Sequence, residues 1–372
     1  MPDTMSDPLS ATPQNVGSET SPGARGHEGG GERGSGHRRL ENAKAELLQR
    51  ALAGAGIASD PSLTSLVERF YRHVAPEDLL GREPADIIAA VLELRALAAS
   101  RPQGTAVVHA FNPDGAREAT SSYSVVDVVT DDMPFLVDSI SAELTGAGFG
   151  VNLLVHPQYV VRRDLAGTLL EVLDVSSAEL PEGATVESWM HVEMGRVTDP
   201  DALAAIESSL GGVLRDVREA VEDWPRMRHT SIALADALEA DPPKTVPSGE
   251  SSEAVEFLRW LADNHFTFLG YREYDLAGAP GDEGLMGVPG SGLGILRADA
   301  GPSEAFAKLP PAARARATEP HILVLTRANA RSTVHRRAYL DYVGIKRFDA
   351  NGVVNGERRF LGLFTSSAFT QS

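Results

Sequence analysis

Three stretches in the first hundred residues repeat apolar positions every three or four residues, the spacing of one helix face. In "RRLENAKAELLQRALAGAG" the repeat runs into Gly54 and Gly56, which are helix stop signals. Asp60 and Ser62 are N-cap candidates for "LTSLVERFYRHV". In "EPADIIAAVLELRALAAS", Ile87, Val91, Leu94 and Leu97 form a stripe. The pattern predicts a helical segment over 38–103, packed on the domain C-terminal to it, with Arg72 and His73 in solvent.

Beyond residue 104 the period shortens. "TAVVHAFN" and "SSYSVVDVVT" are β-branched runs that predict strands. "MPFLVDSISAELTGAG" predicts a helix, with Leu136, Ile140 and Leu144 on one face. "VNLLVHPQYVVRRD" and "TLLEVLDV" predict a hairpin joined near Gly167, and "VESWMHVEMGRV" a further strand. A long helix comes next, with Asp199 as N-cap and Pro200 at its first position. The order predicts an α+β, ferredoxin-like βαββαβ sandwich over 104–238, one sheet face being covered by two helices. "EADPPKTVPSGES", residues 239–251, predicts a linker.

Residues 252–372 then predict a second, mostly antiparallel α+β domain of PAS-like shape. It starts with a helix capped by Ser252 and has a Gly/Pro-rich loop over 277–294. "DANGVVNGE" places Asn-Gly twice at expected hairpin turns. The last residues are an apolar strand without a polar close, so a truncation of a longer chain is expected. At the other end, Gly, Ser and Pro fill 17 of the first 36 positions and no aromatic occurs, which predicts a disordered tail over 1–37.

Charge narrows the function classes. The formal net charge of −18 argues against nucleic acid or anionic membrane as partner. No apolar run reaches the length of a membrane span, no secretory signal is visible and there is no cysteine, so a cytoplasmic protein is expected. One region departs from the acidic balance. Residues 314–359 hold ten Arg or Lys against four acids, which reads as a solvated strand face or a contact with an acidic neighbour.

Candidate chemistry is sparse. "GVPGSGLGIL" has glycines but neither the G-x-G-x-x-G spacing nor a helix after it. His191 and Glu193 share one strand face, expected to be half-exposed, and lack the cysteines of a zinc deaminase site. No serine sits in a nucleophile elbow. No catalytic, cofactor-binding or metal-binding residue is therefore assigned. The stretch "DDMPFLVDSI" remains. There Asp131 or Asp132 is expected to cap a helix with Pro134 in its first turn, which accounts for one aspartate but not both.

The same stretch resembles the ACT domain. Asp132, Met133 and Pro134 match its D-x-P turn, Leu136 and Val137 the apolar pair after it, and Val151-Asn152-Leu153 the start of its second strand. Phe135 stands where the ACT pattern has glycine. ACT modules bind amino acids, so the resemblance implies a candidate effector site at Asp131, Asp132, Phe135 and Asn152. Longer blocks, including "FLRWLADNHFTFLGYREYDL" and "LVLTRANARSTVHRRAYLDYVGIKRFD", are similar to the N-terminal region of the large NAD-specific glutamate dehydrogenases of bacteria. That family alternates ACT-like with PAS-like modules ahead of its catalytic and NAD-binding domains. The resemblance implies a regulatory and assembly region of an enzyme that converts L-glutamate to 2-oxoglutarate and ammonium. NAD would be the parent enzyme's cofactor and would not be bound here. The implied partners are downstream domains of the same polypeptide, further copies in a homo-oligomer and an amino-acid effector. The alternative is a stand-alone ACT-type amino-acid sensor or scaffold without catalysis.

Overall fold

The computed structural model describes residues 30–113, 122–279, 282–298 and 306–369. The predicted disordered tail lies outside these up to residue 29, but residues 30–37 are not tail: they open the first helix, α1 (Gly30–Gly54). Next along the chain are α2 (Pro61–Tyr71), α3 (Pro76–Leu79) and α4 (Pro84–Leu97). Asp60 caps α2 by accepting from the backbone N–H groups of Ser62 and Leu63, and Gly56 takes the left-handed φ of 70° beyond α1. Arg72 and His73 are exposed. The apolar faces of these helices meet in one cluster that includes Leu52, Val67, Phe70, Val91 and Leu94.

The first sheet contains β1 (Val107–Phe111), β2 (Tyr123–Asp131), β3 (Val151–Val155), β4 (Gln158–Arg163), β5 (Leu169–Leu173) and β6 (Thr185–Gly195). Helix α5 (Leu136–Gly146) joins β2 to β3, and α6 (Pro200–Ala240) comes after β6. All pairings are antiparallel in the order β1-β2-β6-β4-β5, with β3 beside the other half of β6. β3 and β4 thus form one interrupted strand, and the Trp189 N–H reaches Pro157 O across the break. The β4–β5 hairpin turns at Gly167, whose φ is 88° and whose absent Cβ would overlap the Arg101 carbonyl.

Two layers cover this sheet: α5 and α6 on one face, as expected, and the helical segment on the other. Val128, Met190 and Val192 face α5 and α6, while Val129, Val161 and Trp189 face α1–α4. Period-two alternation fixes which residues share a face, not what lies over it. Strands apolar on both faces need two covers.

The 41 residues of α6 extend roughly 60 Å. Asp199 caps it by accepting from the Asp201 N–H, and Pro200 opens it, as expected. Its first half packs on the first sheet through Leu210, Leu214 and Val217. Beyond Pro225, Met227 and Ala235 pack with Leu258, Phe268 and Phe360. These last belong to α7 (Ser248–Trp260) and a second antiparallel sheet of β7 (Phe266–Ala277), β8 (Gly284–Gly287), β9 (Leu293–Gly294), β10 (Phe306–Lys308), β11 (Leu323–Arg331), β12 (Tyr339–Phe348) and β13 (Val354–Phe364). Helix α8 (Pro311–Thr318) precedes β11. The strand order is β10-β8-β7-β13-β12-β11, with β9 on β7.

Local expectations shift here. α7 begins at Ser248 rather than after Ser252, so only 241–247 separates it from α6. The loop over 277–294 carries β8 and β9. Asn351-Gly352 makes the β12–β13 turn, with Gly352 at φ 78°, whereas Asn355-Gly356 lies within β13. Among the described residues, no helix is long and apolar enough to cross a membrane.

Candidate functional site

The β2–α5 turn corrects the capping expectation. Neither aspartate caps α5 and Pro134 is not in its first turn. The N-cap is Phe135, at φ 73° and ψ 0°, with no side-chain cap hydrogen bond. A phenylalanine in this left-handed region is strained, because its Cβ crowds the backbone where glycine has none. The two aspartates are held instead by groups distant in sequence.

Asp131 receives the guanidinium of Arg101 at 2.6 Å and that of Arg218 from α6 at 2.8 Å. Arg101 is 1% exposed and also donates to Glu187, which is 0% exposed. Glu187 accepts further from Arg163 and from the Trp189 indole N–H at 2.9 Å. Burial by itself raises the Glu187 carboxyl, but the donors from Arg163, Arg101 and Trp189 outweigh it and hold it below the usual range. This cluster ties the end of the helical layer to β2, β4, β6 and α6.

Asp132 accepts from Ser188 Oγ at 2.5 Å and from Gln158 Nε2 at 2.8 Å. His156 Nε2 meets the same Ser188 oxygen at 2.8 Å, and burial pushes the His156 pKa down against the opposing charge of Asp132. The serine proton goes to a carboxylate rather than to the imidazole. A nucleophilic relay has the reverse order, with histidine between serine and acid.

Asn152 is not brought to this turn. It lies exposed on β3 beside Glu193 and Met194, whereas Asp131 pairs across from Glu187 at the other end of β6, roughly 20 Å away at strand rise. Phe135 is partly buried in the cluster between α5 and α6. Its ring lies 5.2 Å from that of His335 in the β11–β12 loop.

His191 and Glu193 are buried rather than half-exposed, because α1–α4 cover their face. His191 Nδ1 lies 2.7 Å from Asp127 Oδ1 and its Nε2 lies 3.7 Å from Glu193, which is bound bidentately by Arg82. Burial disfavours the imidazolium, yet bonds to Asp127 and Glu193 outweigh it and push the His191 pKa up to about 9. Burial likewise raises Glu193, and Arg82 with His191 outweighs it, bringing that carboxyl down to about 2. These ion pairs join the helical layer to the sheet. Neither cluster was expected from the sequence. The available signal was Glu187, His191 and Glu193 alternating on one strand, which must meet arginines if the face is buried.

The basic strands are extensively paired: Arg347 with Glu273 and Asp275, Arg327 with Asp341, and Arg359 between the rings of Tyr274 and Tyr342. A cleft of about 700 Å³ lies between the end of α6 and the β12–β13 hairpin. Lys244, Lys346, Arg347 and Arg358 line it together with Asp241 and Asp349, so basic groups outnumber acidic ones there. Among the described residues, no group of three or more His, Asp or Glu is placed to hold a metal ion.

The class of this architecture is set by residues 66–210, which match the family model described as glutamate dehydrogenase, ACT1 domain. That span begins in α2 and ends in α6, and it is similar to the ACT1 domain family. The relatives specify further. The chain is similar to the NAD-specific glutamate dehydrogenase of Halomonas elongata, 33% identical over 353 residues that cover 90% of this chain and 21% of that protein. The enzyme of the same name from Pseudomonas aeruginosa is 34% identical over 328 residues, 87% of this chain and 20% of the relative. That from Mycobacterium tuberculosis is 29% identical over 244 residues, 65% and 14% respectively. The chain spans about a fifth of the length of the first two relatives. The resemblance drawn from the long sequence blocks is borne out.

Proposed function

We propose that this chain is the N-terminal regulatory and assembly region of an NAD-specific glutamate dehydrogenase. The whole enzyme oxidises L-glutamate with NAD+ and water to 2-oxoglutarate, ammonium, NADH and a proton, and its catalytic lysine and NAD-binding domain lie outside these residues. The first sheet, over 104–238, is an ACT-like unit of ferredoxin-like form in which β1 takes the edge position that a strand after α6 occupies in the usual order. Residues 252–372 form the PAS-like unit. Further copies of the chain and the rest of the polypeptide are its partners, in the cytoplasm. An amino acid is the effector, at the turn of Asp131, Asp132 and Phe135, with Asn152 set apart from it.

The observation that carries this reading is the left-handed residue at 135, inside the ACT1-matched span and at the position where the ACT pattern has glycine. The ionisable groups around it support the non-catalytic part of the reading, since their hydrogen bonds are spent within the fold. The test is NADH formation from L-glutamate and NAD+ by the whole polypeptide and by residues 1–372 alone. Activity confined to the whole polypeptide is expected. Activity of the short chain would overturn the proposal.

A further inference from the structure

Among the described residues three non-glycine positions have positive φ, and two of them, Phe135 and His335, meet with ring centroids 5.2 Å apart and planes tilted by 43°. His335 has φ 67° and sits in the loop 332–338 between β11 and β12. That loop is built for insertion. The Ser332 hydroxyl donates to Val334 O and accepts from the Val334 N–H, and the Ser332 N–H donates to Ala338 O at 2.7 Å. Val334 at its tip is 0% exposed and lies in the cluster that holds Leu136 and Ile140 of α5 and Leu210 of α6.

Polar contacts seat the loop around this tip. The His335 N–H donates to the buried Ser139 Oγ at 2.9 Å, and His335 Nδ1 lies 2.9 Å from Asp138. Thr333 Oγ1 donates to Asp216 of α6 at 2.8 Å. Arg337 reaches Glu143 and lies where any side chain on Gly146 would stand.

We infer that loop 332–338 is an intrachain latch on the β2–α5 turn, which an amino-acid effector must displace to bind there. The latch rests on the reading of that turn as an effector site and adds its regulation. Two residues with left-handed backbone in direct contact, their rings tilted together and the His335 N–H bonded to Ser139, hold each other in place, so the closed turn depends on its partner loop. Latch opening frees the start of α5 and unseats β11–β12 from α5 and α6. Ligand occupancy of the first sheet is thereby coupled to the position of the second.

Hydrogen exchange of the whole 372-residue chain tests this, with each standard amino acid added at millimolar concentration. Val334→Ser is expected to speed exchange of amides 136–140 by at least roughly tenfold while amides 125–129 keep their protection. Thr333→Val, which removes one surface hydrogen bond, is expected to act in the same direction to a smaller extent and decides the matter if Val334→Ser unfolds the first sheet. At least one amino acid is expected to slow exchange at 136–140 in the opened variants and, in the wild type, to speed it at 332–338. Unchanged exchange at 136–140 in both variants overturns the latch. Faster exchange with no response to any amino acid leaves the latch standing and removes the effector reading.

Discussion

His191 offers a quantitative test of the buried clusters. It is held between Asp127 and Glu193 under the helical layer, with a folded pKa of about 9 against about 6.5 for a free imidazole. A base whose pKa rises on folding contributes its full stabilisation below the unfolded value. That contribution is lost as pH climbs through the folded value. The gap between the two converts to about 3 kcal/mol of stability, present below about pH 6.5 and gone above about pH 9. The Glu193 carboxyl, raised by burial but held down more strongly by Arg82 and then by His191, stays ionised throughout this range and adds no pH dependence of its own. His191→Gln keeps hydrogen-bonding capacity but no charge. The variant should be about 3 kcal/mol less stable near pH 6, and the two proteins should converge in alkali. Urea unfolding read by Trp189, with Trp224→Phe and Trp260→Phe in both proteins, tracks the first sheet without assuming that the whole chain melts at once. Parallel pH profiles for wild type and variant would refute the reasoning.

Other perturbations probe separate parts of the account. Arg101→Met leaves the buried Glu187 and the partly exposed Asp131 each short of a partner and should cost about 3 kcal/mol in the same unfolding assay; a loss below about 1 kcal/mol would contradict the cluster's role. Asp60→Ala should destabilise the helical layer by about 1 kcal/mol, with Asp60→Asn close to wild type, measured by the urea midpoint. Gly294 has φ 59° and an added Cβ would sit 2.1 Å from the Leu269 carbonyl oxygen, so Gly294→Ala should cost about 2–4 kcal/mol in the unfolding of the second sheet, read by Trp260 fluorescence.

The elements and their faces were legible because apolar spacing is local. Ile87, Val91 and Leu94 pack where their stripe predicts, and Asp60 caps the helix it precedes. What failed depended on partners far along the chain. Asp131 and Asp132 read as caps because nothing nearby competes for them, yet Arg101, Arg218, Ser188 and Gln158 do. His191 read as half-exposed because alternation is silent about a covering layer. Phe135 is the instructive case. Its own chemistry disfavours a left-handed backbone, so propensity pointed away from that geometry, and only the glycine in the ACT pattern marked the position. The loop that covers it begins near residue 332 and carried no signal linking it to α5.

The proposed function has these residues regulate glutamate oxidation without performing it. The most direct measurement is the saturated rate of glutamate-dependent NADH formation by the whole polypeptide carrying Phe135→Ala, with and without added amino acids. A basal rate within about twofold of wild type and an altered response to an amino acid are expected. A fall of about a hundredfold or more, the size expected when a group acting in the chemical step is lost, would contradict the proposed function.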